Sequence, residues 1–226
     1  IGDEDATISL SYGEGTSHHC LIGGGTGGGK STLLHTIIMS SMLNYSPDQL
    51  HLYLMDFKGG TEFKIYESQR LPHINLIALD AMQEFGESIL ENLVQEMEER
   101  SNTFKEAGGY TKIQDYIDGT GLAMPRILII MDEFQILFND ATNRKVAMNC
   151  ANLAKRIVTE GRAYGIHLTM ATQSTNIISS LTLDRGTIEQ MRIRIGLKCG
   201  DADTRYLFSD LYCDDAKKKI MGPKGT

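Results

Sequence analysis

Residues 24–31 read Gly24-Gly25-Thr26-Gly27-Gly28-Gly29-Lys30-Ser31, five glycines in six positions closed by a lysine and a hydroxyl. Such a run is a loop, because glycine is unfavourable inside helices and strands alike. Its flanks narrow the choice further. His18-His19-Cys20-Leu21-Ile22 has the composition of a short buried strand, and Ser31-Thr32-Leu33-Leu34-His35-Thr36-Ile37-Ile38-Met39 reads as a helix. Strand, glycine loop and helix in this order satisfy the phosphate-loop pattern G-x-x-x-x-G-K-[ST]. Glycines let successive backbone N–H groups curl around phosphates, Lys30 reaches the β- and γ-phosphates, and the Ser31 hydroxyl ligates Mg²⁺. The helix dipole adds to the attraction. Gly24, Gly25, Thr26, Gly27, Gly28, Gly29, Lys30, Ser31 and Thr32 are therefore the expected nucleotide-binding residues.

Downstream, strands alternate with helices. Strands are expected at Leu50–Met55, Ile74–Leu79, Ile127–Met131, Gly165–Ala171 and Ile193–Cys199, the last with the alternation of an edge, and a further short edge strand at Thr7–Leu10. Met82–Ala107 is expected to be helical, with Phe85, Ile89, Leu93, Met97 and Phe104 on its apolar face and Gln95–Arg100 as a solvated charge run, stopped by Gly108-Gly109. Arg144–Ala163 reads as a second long helix. This alternation predicts an α/β fold: a mainly parallel central sheet flanked by helices, in one domain spanning 1–226. In such sheets ligands bind outside the carboxyl ends of the strands. Gly29, Asp56, Asp132 and Gln173 all fall there.

Asp132-Glu133 ends an apolar strand. A carboxylate at Asp132 can hold the Mg²⁺ water shell opposite Ser31, and Glu133 can orient and deprotonate an attacking water. Gln173 ends a neighbouring type of strand, where its amide could touch the γ-phosphate or the water. Arg162 closes a helix just before a strand. It suits insertion into a neighbouring subunit's site to neutralise transition-state charge, although a helix-terminal arginine also serves as a dipole partner. Arg156, Arg192 and Arg194 are lesser candidates. Asp56-Phe57-Lys58-Gly59-Gly60 lies at the same edge, as a turn or a contact to nucleotide or neighbour.

Composition excludes several classes. The 226 residues, 41% hydrophobic, are enough for a real core. Four cysteines without a C-x-x-C pair argue against a disulfide framework or zinc site, and six histidines show no ligand spacing. No apolar run is long enough to cross a membrane and no signal peptide is visible. A net charge of −7 counts against coating by nucleic acid, less so for a ring touching a strand with a few pore residues. The chain starts at Ile1 and ends at Thr226, as an excised fragment would, so a membrane anchor or partner domain could lie outside it.

The order of motifs is distinctive. The phosphate loop is followed by Leu54-Met55-Asp56-Phe57-Lys58-Gly59-Gly60, Leu71-Pro72-His73, Glu96–Arg100 and Ile129-Ile130-Met131-Asp132-Glu133-Phe134. The last is Gly161-Arg162-Ala163-Tyr164-Gly165-Ile166-His167-Leu168-Thr169-Met170-Ala171-Thr172-Gln173. Over nearly the whole chain this resembles the FtsK/SpoIIIE family of hexameric motor ATPases. The resemblance implies a RecA-like P-loop fold with ATP and Mg²⁺ as ligands. It gives Lys30, Ser31, Asp132, Glu133 and Gln173 the roles above and makes Arg162 the finger acting in trans. The best-known members pump double-stranded DNA. Two departures touch the cargo: chromosome-segregating members usually carry Asp-Pro-Lys at the Asp56-Phe57-Lys58 position, and no winged-helix module follows. The Lys-Gly-Gly form is similar to the EssC/EccC motors of type VII secretion.

The expected function is an ATP-hydrolysing motor domain of a homo-hexameric ring, with double-stranded DNA as cargo on family frequency. It would be a cytoplasmic domain of a membrane-anchored bacterial protein. Alternatives are a type VII secretion ATPase moving protein substrates, and a nucleotide-binding assembly module with little turnover, against which intact Lys30 and Glu133 speak.

Overall fold

Side-chain alternation along the strands decides which residues meet which helix layer. The computed structural model describes residues 10–13, 15–80, 82–173, 182–198, 200, 204, 205, 207 and 208. Within them the chain runs β1 (Cys20–Gly23), α1 (Lys30–Asn44), β2 (Leu50–Asp56), α2 (Lys64–Glu67), β3 (Ile74–Ala78), α3 (Gln83–Glu106) and α4 (Ile113–Thr120). It continues with β4 (Arg126–Asp132), a 3-10 turn (Phe134–Ile136), α5 (Asp140–Tyr164), β5 (Ile166–Thr172), α6 (Arg185–Gln190) and β6 (Ile193–Gly196). In β4, Ile127, Ile129 and Met131 face one core with Leu90, Leu93 and Met97 of α3 and Cys150, Ala154 and Ile157 of α5. Leu128 and Ile130 face the other, with Leu34, Ile37 and Ile38 of α1 and Leu52 and Leu54 of β2. The continuous apolar reading of β4 and β5 thus reflects burial on both faces.

The strands form one sheet in the order β3-β2-β4-β5-β1-β6. All pairings are parallel. From β1 the chain crosses to β2 and steps out to β3, then returns through β4 to β5. Because crossovers are right-handed, this reversal puts α1 on one face and α3 and α5 on the other. The α/β class is the one the sequence predicts. The topology adds something local patterns do not carry: β5 lies between β1, which feeds the glycine loop, and β4, which ends in Asp132.

Several expectations change in detail. The strand expected at Thr7–Leu10 falls largely on residues outside those described, as do Cys199 and Cys213. β6 is an edge strand, as its alternation suggests, with all four residues half-buried. Phe85 is 43% exposed rather than in the core. Gly86 takes the inward position there, because a Cβ would lie 2.6 Å from Leu137 Cδ1 and 3.1 Å from the Phe57 ring. Arg100, expected in a solvated charge run, is buried. Its Nε donates to Glu96 Oε1 (2.7 Å) and its Nη1 to the Tyr164 carbonyl (2.8 Å), capping the carboxyl end of α5 from α3. The long helix expected from Arg144 begins after a break at Asn143 (φ −148°, ψ 96°), preceded by a turn that Asn139 caps by accepting from Ala141 N.

Candidate active site

The glycine loop leaves β1 under tight control. Gly24 N donates to the Thr172 carbonyl (3.2 Å) at the end of β5, and Gly25 N to the Lys198 carbonyl (2.8 Å) beyond β6. Gly28 N turns back to the Gly25 carbonyl (2.9 Å), and Gly29 caps α1 in the left-handed region at φ 91°. Among the described residues nothing lies within 4 Å of where a Cβ on Gly29 would sit, which leaves room at the start of α1 for a phosphate. The first turn of α1 carries Ser31, half-buried, and Thr32, exposed.

Lys30 is buried and points back under the loop, its Nζ paired with Asp132 Oδ1 and 3.1 Å from Glu133 Oε1. Asp132 Oδ1 also accepts from Glu133 N (3.0 Å), whereas Oδ2 is buried and has no hydrogen-bond partner among the described residues. Burial raises the Asp132 carboxyl above the usual carboxylate range, more than Lys30 lowers it, and Glu133 and Asp56 push the same way as burial. Such a carboxylate gains from a cation. An orphaned carboxylate oxygen opposite a hydroxyl at the start of α1 is an oxygen donor set that fits Mg²⁺ held through its waters. Asp132 and Ser31 would hold it. Among the described residues no group of three or more His, Cys, Asp or Glu side chains could hold a metal by itself.

Glu133 sits in the left-handed region (φ 51°, ψ 45°), rare for a residue with a side chain. The 3-10 turn that follows enforces it, with Phe134 and Phe138 fully buried and their rings edge to face at 6.1 Å. Such backbone strain is found mostly where function requires it. Oε2 of Glu133 accepts from Gln135 Nε2 (2.7 Å) and Gln173 N (3.2 Å). The Gln173 carboxamide in turn accepts from Thr26 Oγ1 of the glycine loop (3.3 Å). Because β5 lies between β1 and β4, its terminal Gln173 touches both the loop and the acidic pair. Asp56, opposite Asp132 in register, is fully buried.

The structure therefore brings together Thr26, Lys30, Asp132, Glu133 and Gln173, and places Arg162 elsewhere. Arg162 is exposed at the end of α5, at the amino edge of the sheet. Seven-residue β5 puts that edge about 23 Å from the loop. The lesser candidates include two with partners: Arg156 pairs with Glu98 (2.8 Å) and Glu160 (3.5 Å), and Arg194 donates to the Met191 and Ile188 carbonyls. Among the described residues Arg162 forms no ion pair. Gln135 is the residue sequence reasoning misses; its signal, a carboxamide two positions after Asp132-Glu133, acquires meaning only once the turn is known.

A model of the FtsK/SpoIIIE family matches residues 3–176. The ESX secretion system protein EccC of Thermomonospora curvata is 32% identical over 198 residues, covering 84% of this chain and 14% of the relative. The DNA translocase FtsK of Staphylococcus epidermidis is 33% identical over 168 residues, covering 70% of this chain and 20% of the relative. Among solved structures, the cytoplasmic domain of the Thermomonospora curvata type VII secretion ATPase EccC superposes with a TM-score of 0.70 at 27% identity, over 89% of this chain and 23% of that one. The chain spans about a fifth or less of the length of these relatives. With the glycine loop, the paired acids and the sheet order on the same footing as that match, the chain belongs to the FtsK/SpoIIIE family and is a P-loop ATPase.

Proposed function

We propose that this motor ATPase hydrolyses Mg²⁺-ATP at a site completed by a neighbouring copy of the chain, and that hydrolysis drives a protein substrate through the resulting ring. The observation that carries the catalytic part is the convergence of Lys30, Asp132, Glu133 and Gln173 on one loop edge. The backbone amides of residues 24–31 bind the β- and γ-phosphates, and Lys30 transfers from Asp132 and Glu133 to the phosphate oxygens. Ser31 and Asp132 would hold Mg²⁺, which would supply charge neutralisation on those oxygens. Glu133 takes a proton from the attacking water, and Gln173 links that base to the loop through Thr26.

Phosphoryl transfer gains most from a further cation at the transition state. Arg162, exposed, without an ion pair among the described residues and at the far edge of its own sheet, is suited to reach the nucleotide of the next subunit. That relation is head-to-tail, which closes into rings. A protein cargo is supported by the −7 charge and by the similarity to EccC across 84% of the chain. Double-stranded DNA is the second reading, favoured by the 33% identity to a DNA translocase. The setting proposed is the cytoplasmic side of a membrane-associated machine; among the described residues no helix is long and apolar enough to cross a membrane.

The test is steady-state ATP hydrolysis at high protein concentration, with long double-stranded DNA or with candidate secretion-signal peptides, using Lys30→Ala as blank. Stimulation by peptide and indifference to DNA supports the secretion reading. Salt-sensitive stimulation by DNA replaces it with the translocase reading.

A further inference from the structure

One polar side chain in the site has no part in the steps above. Gln135 lies in the 3-10 turn after β4, half-buried, and its Nε2 donates to Glu133 Oε2 at 2.7 Å. A carboxylate only accepts hydrogen bonds, so the amide nitrogen must face it. The other end of the carboxamide, Oε1, is shielded from solvent and makes no hydrogen bond among the described residues. Residues two apart point to different sides of a helix. They meet here in the turn after β4, which Glu133 enters in the left-handed region (φ 51°, ψ 45°).

The two oxygens of Glu133 are thereby treated differently. Oε2 is pinned from two sides, by Gln135 of the turn and by Gln173 N at the end of β5 (3.2 Å). Oε1 is shielded, makes no hydrogen bond among the described residues, and is held only by the charge of Lys30, whose Nζ lies 3.1 Å away. Lys30 is the group that incoming phosphates claim, so Oε1 is the oxygen that loses its partner when nucleotide binds. We propose that Gln135 is a positioning residue for hydrolysis: it holds Oε2 still while Oε1 exchanges Lys30 for the attacking water. The inference rests on Glu133 being the general base.

In the step itself the water oxygen forms a bond to the γ-phosphorus, and the bond from that phosphorus to the β–γ bridging oxygen breaks. ADP leaves with the electron pair, and the proton goes to Oε1. With Oε2 unpinned, the carboxylate rotates about its last torsion once Lys30 departs, and Oε1 is no longer presented to the water. Misplacing a base by about 1 Å can cost on the order of 100-fold in rate. The unpartnered Oε1 of Gln135 holds an acceptor beside the base, suited to the water's second hydrogen.

The experiment uses the full-length protein and measures kcat and KM for ATP, together with the dissociation constant for a fluorescent ADP analogue. The variants are Gln135→Ala, Gln135→Met, Glu133→Gln and the Glu133→Gln/Gln135→Ala double. Gln135→Met keeps the volume and removes the donor, so a packing role would be rescued by it and a positioning role would not; it also carries the test if the alanine variant fails to fold. The expected result is a kcat lower by roughly 10- to 100-fold in both Gln135 variants, with KM and nucleotide affinity within about twofold of wild type, since binding is untouched. In the Glu133→Gln background, Gln135→Ala is expected to cause no further loss, because its effect passes through Glu133. Wild-type kcat in Gln135→Met, or an equal loss in the Glu133→Gln background, overturns the inference. Wild-type turnover in Glu133→Gln alone overturns instead the assignment of the base on which it rests.

Discussion

Asp56 and Asp132 stand opposite each other in register across β2 and β4, both fully buried, and their carboxylates are satisfied in opposite ways. Asp56 accepts at both oxygens from its own chain, from Lys58 N (2.9 Å) and Glu62 N (2.8 Å). Asp132 keeps one oxygen free of any hydrogen bond among the described residues. The first carboxylate is committed to shaping the Lys58-Gly59-Gly60 turn; the second retains capacity for a ligand.

Asp56→Ala is accordingly expected to lower folding stability by about 1–3 kcal/mol, the cost of leaving shielded amides unpaired. Urea unfolding of variant and wild type measures it. An unchanged midpoint would mean that water replaces the carboxylate at no cost.

Lys30→Ala is expected to remove the contacts of one ammonium to the nucleotide phosphates, weakening binding by roughly two decades for a loss near 3 kcal/mol. Titration with a fluorescent nucleotide reads this directly. Retained affinity would show that the loop amides alone hold the phosphates.

Glu133→Gln separates binding from chemistry. Affinity should persist while turnover falls by roughly two to four decades, the contribution of a positioned base. Equilibrium binding and single-turnover hydrolysis on one preparation give both numbers.

Arg162→Ala should act only where copies of the chain meet. Turnover per subunit is expected to rise with wild-type concentration as rings assemble, and to stay low at every concentration in the variant, by up to roughly 10³-fold. An equal loss in protein shown to be monomeric would remove the finger from this residue.

Acid should weaken the fold through two histidines at the amino edge of the sheet. Burial lowers His19 to about 3 and His167 to about 4, from an ordinary value near 6.5. Both rings are neutral in the folded chain, and the unfolded chain takes up protons first as pH falls. Their stabilisation is full above pH 6.5 and is lost downward through that value, by up to about 1.4 kcal/mol per pH unit for each histidine. The decline levels off only below about 4 for His167 and about 3 for His19. Urea midpoints between pH 7.5 and 5, compared with His167→Asn, test this; parallel slopes would clear His167 of the effect.

Much of the site is legible in the sequence because its parts sit at strand ends that alternation marks: Lys30 after β1, Asp132-Glu133 after β4, Gln173 after β5. Strand order is not legible, since it depends on which strands pair across long separations. The placing of β5 between β1 and β4, which lets Gln173 touch both Thr26 and Glu133, therefore had to be seen. Gln135 escapes for a different reason. Its partner is two residues away, across a turn that Glu133 enters in the left-handed region, and local alternation does not mark such a turn. Arg100 looks like part of a wetted charge run until Tyr164, 64 positions on, supplies the carbonyl that explains its burial.

The straight part of α5, from Arg144 to Tyr164, is about 30 Å long. It starts after the break at Asn143 and carries Arg162 in its last turn. A packed helix transmits axial displacement with little compression. Were Arg162 to face the adjacent copy of a ring, this one rigid helix would span the distance between its own subunit's acidic pair and the neighbouring nucleotide, so that the two sites would be tied by a strut rather than by a loop.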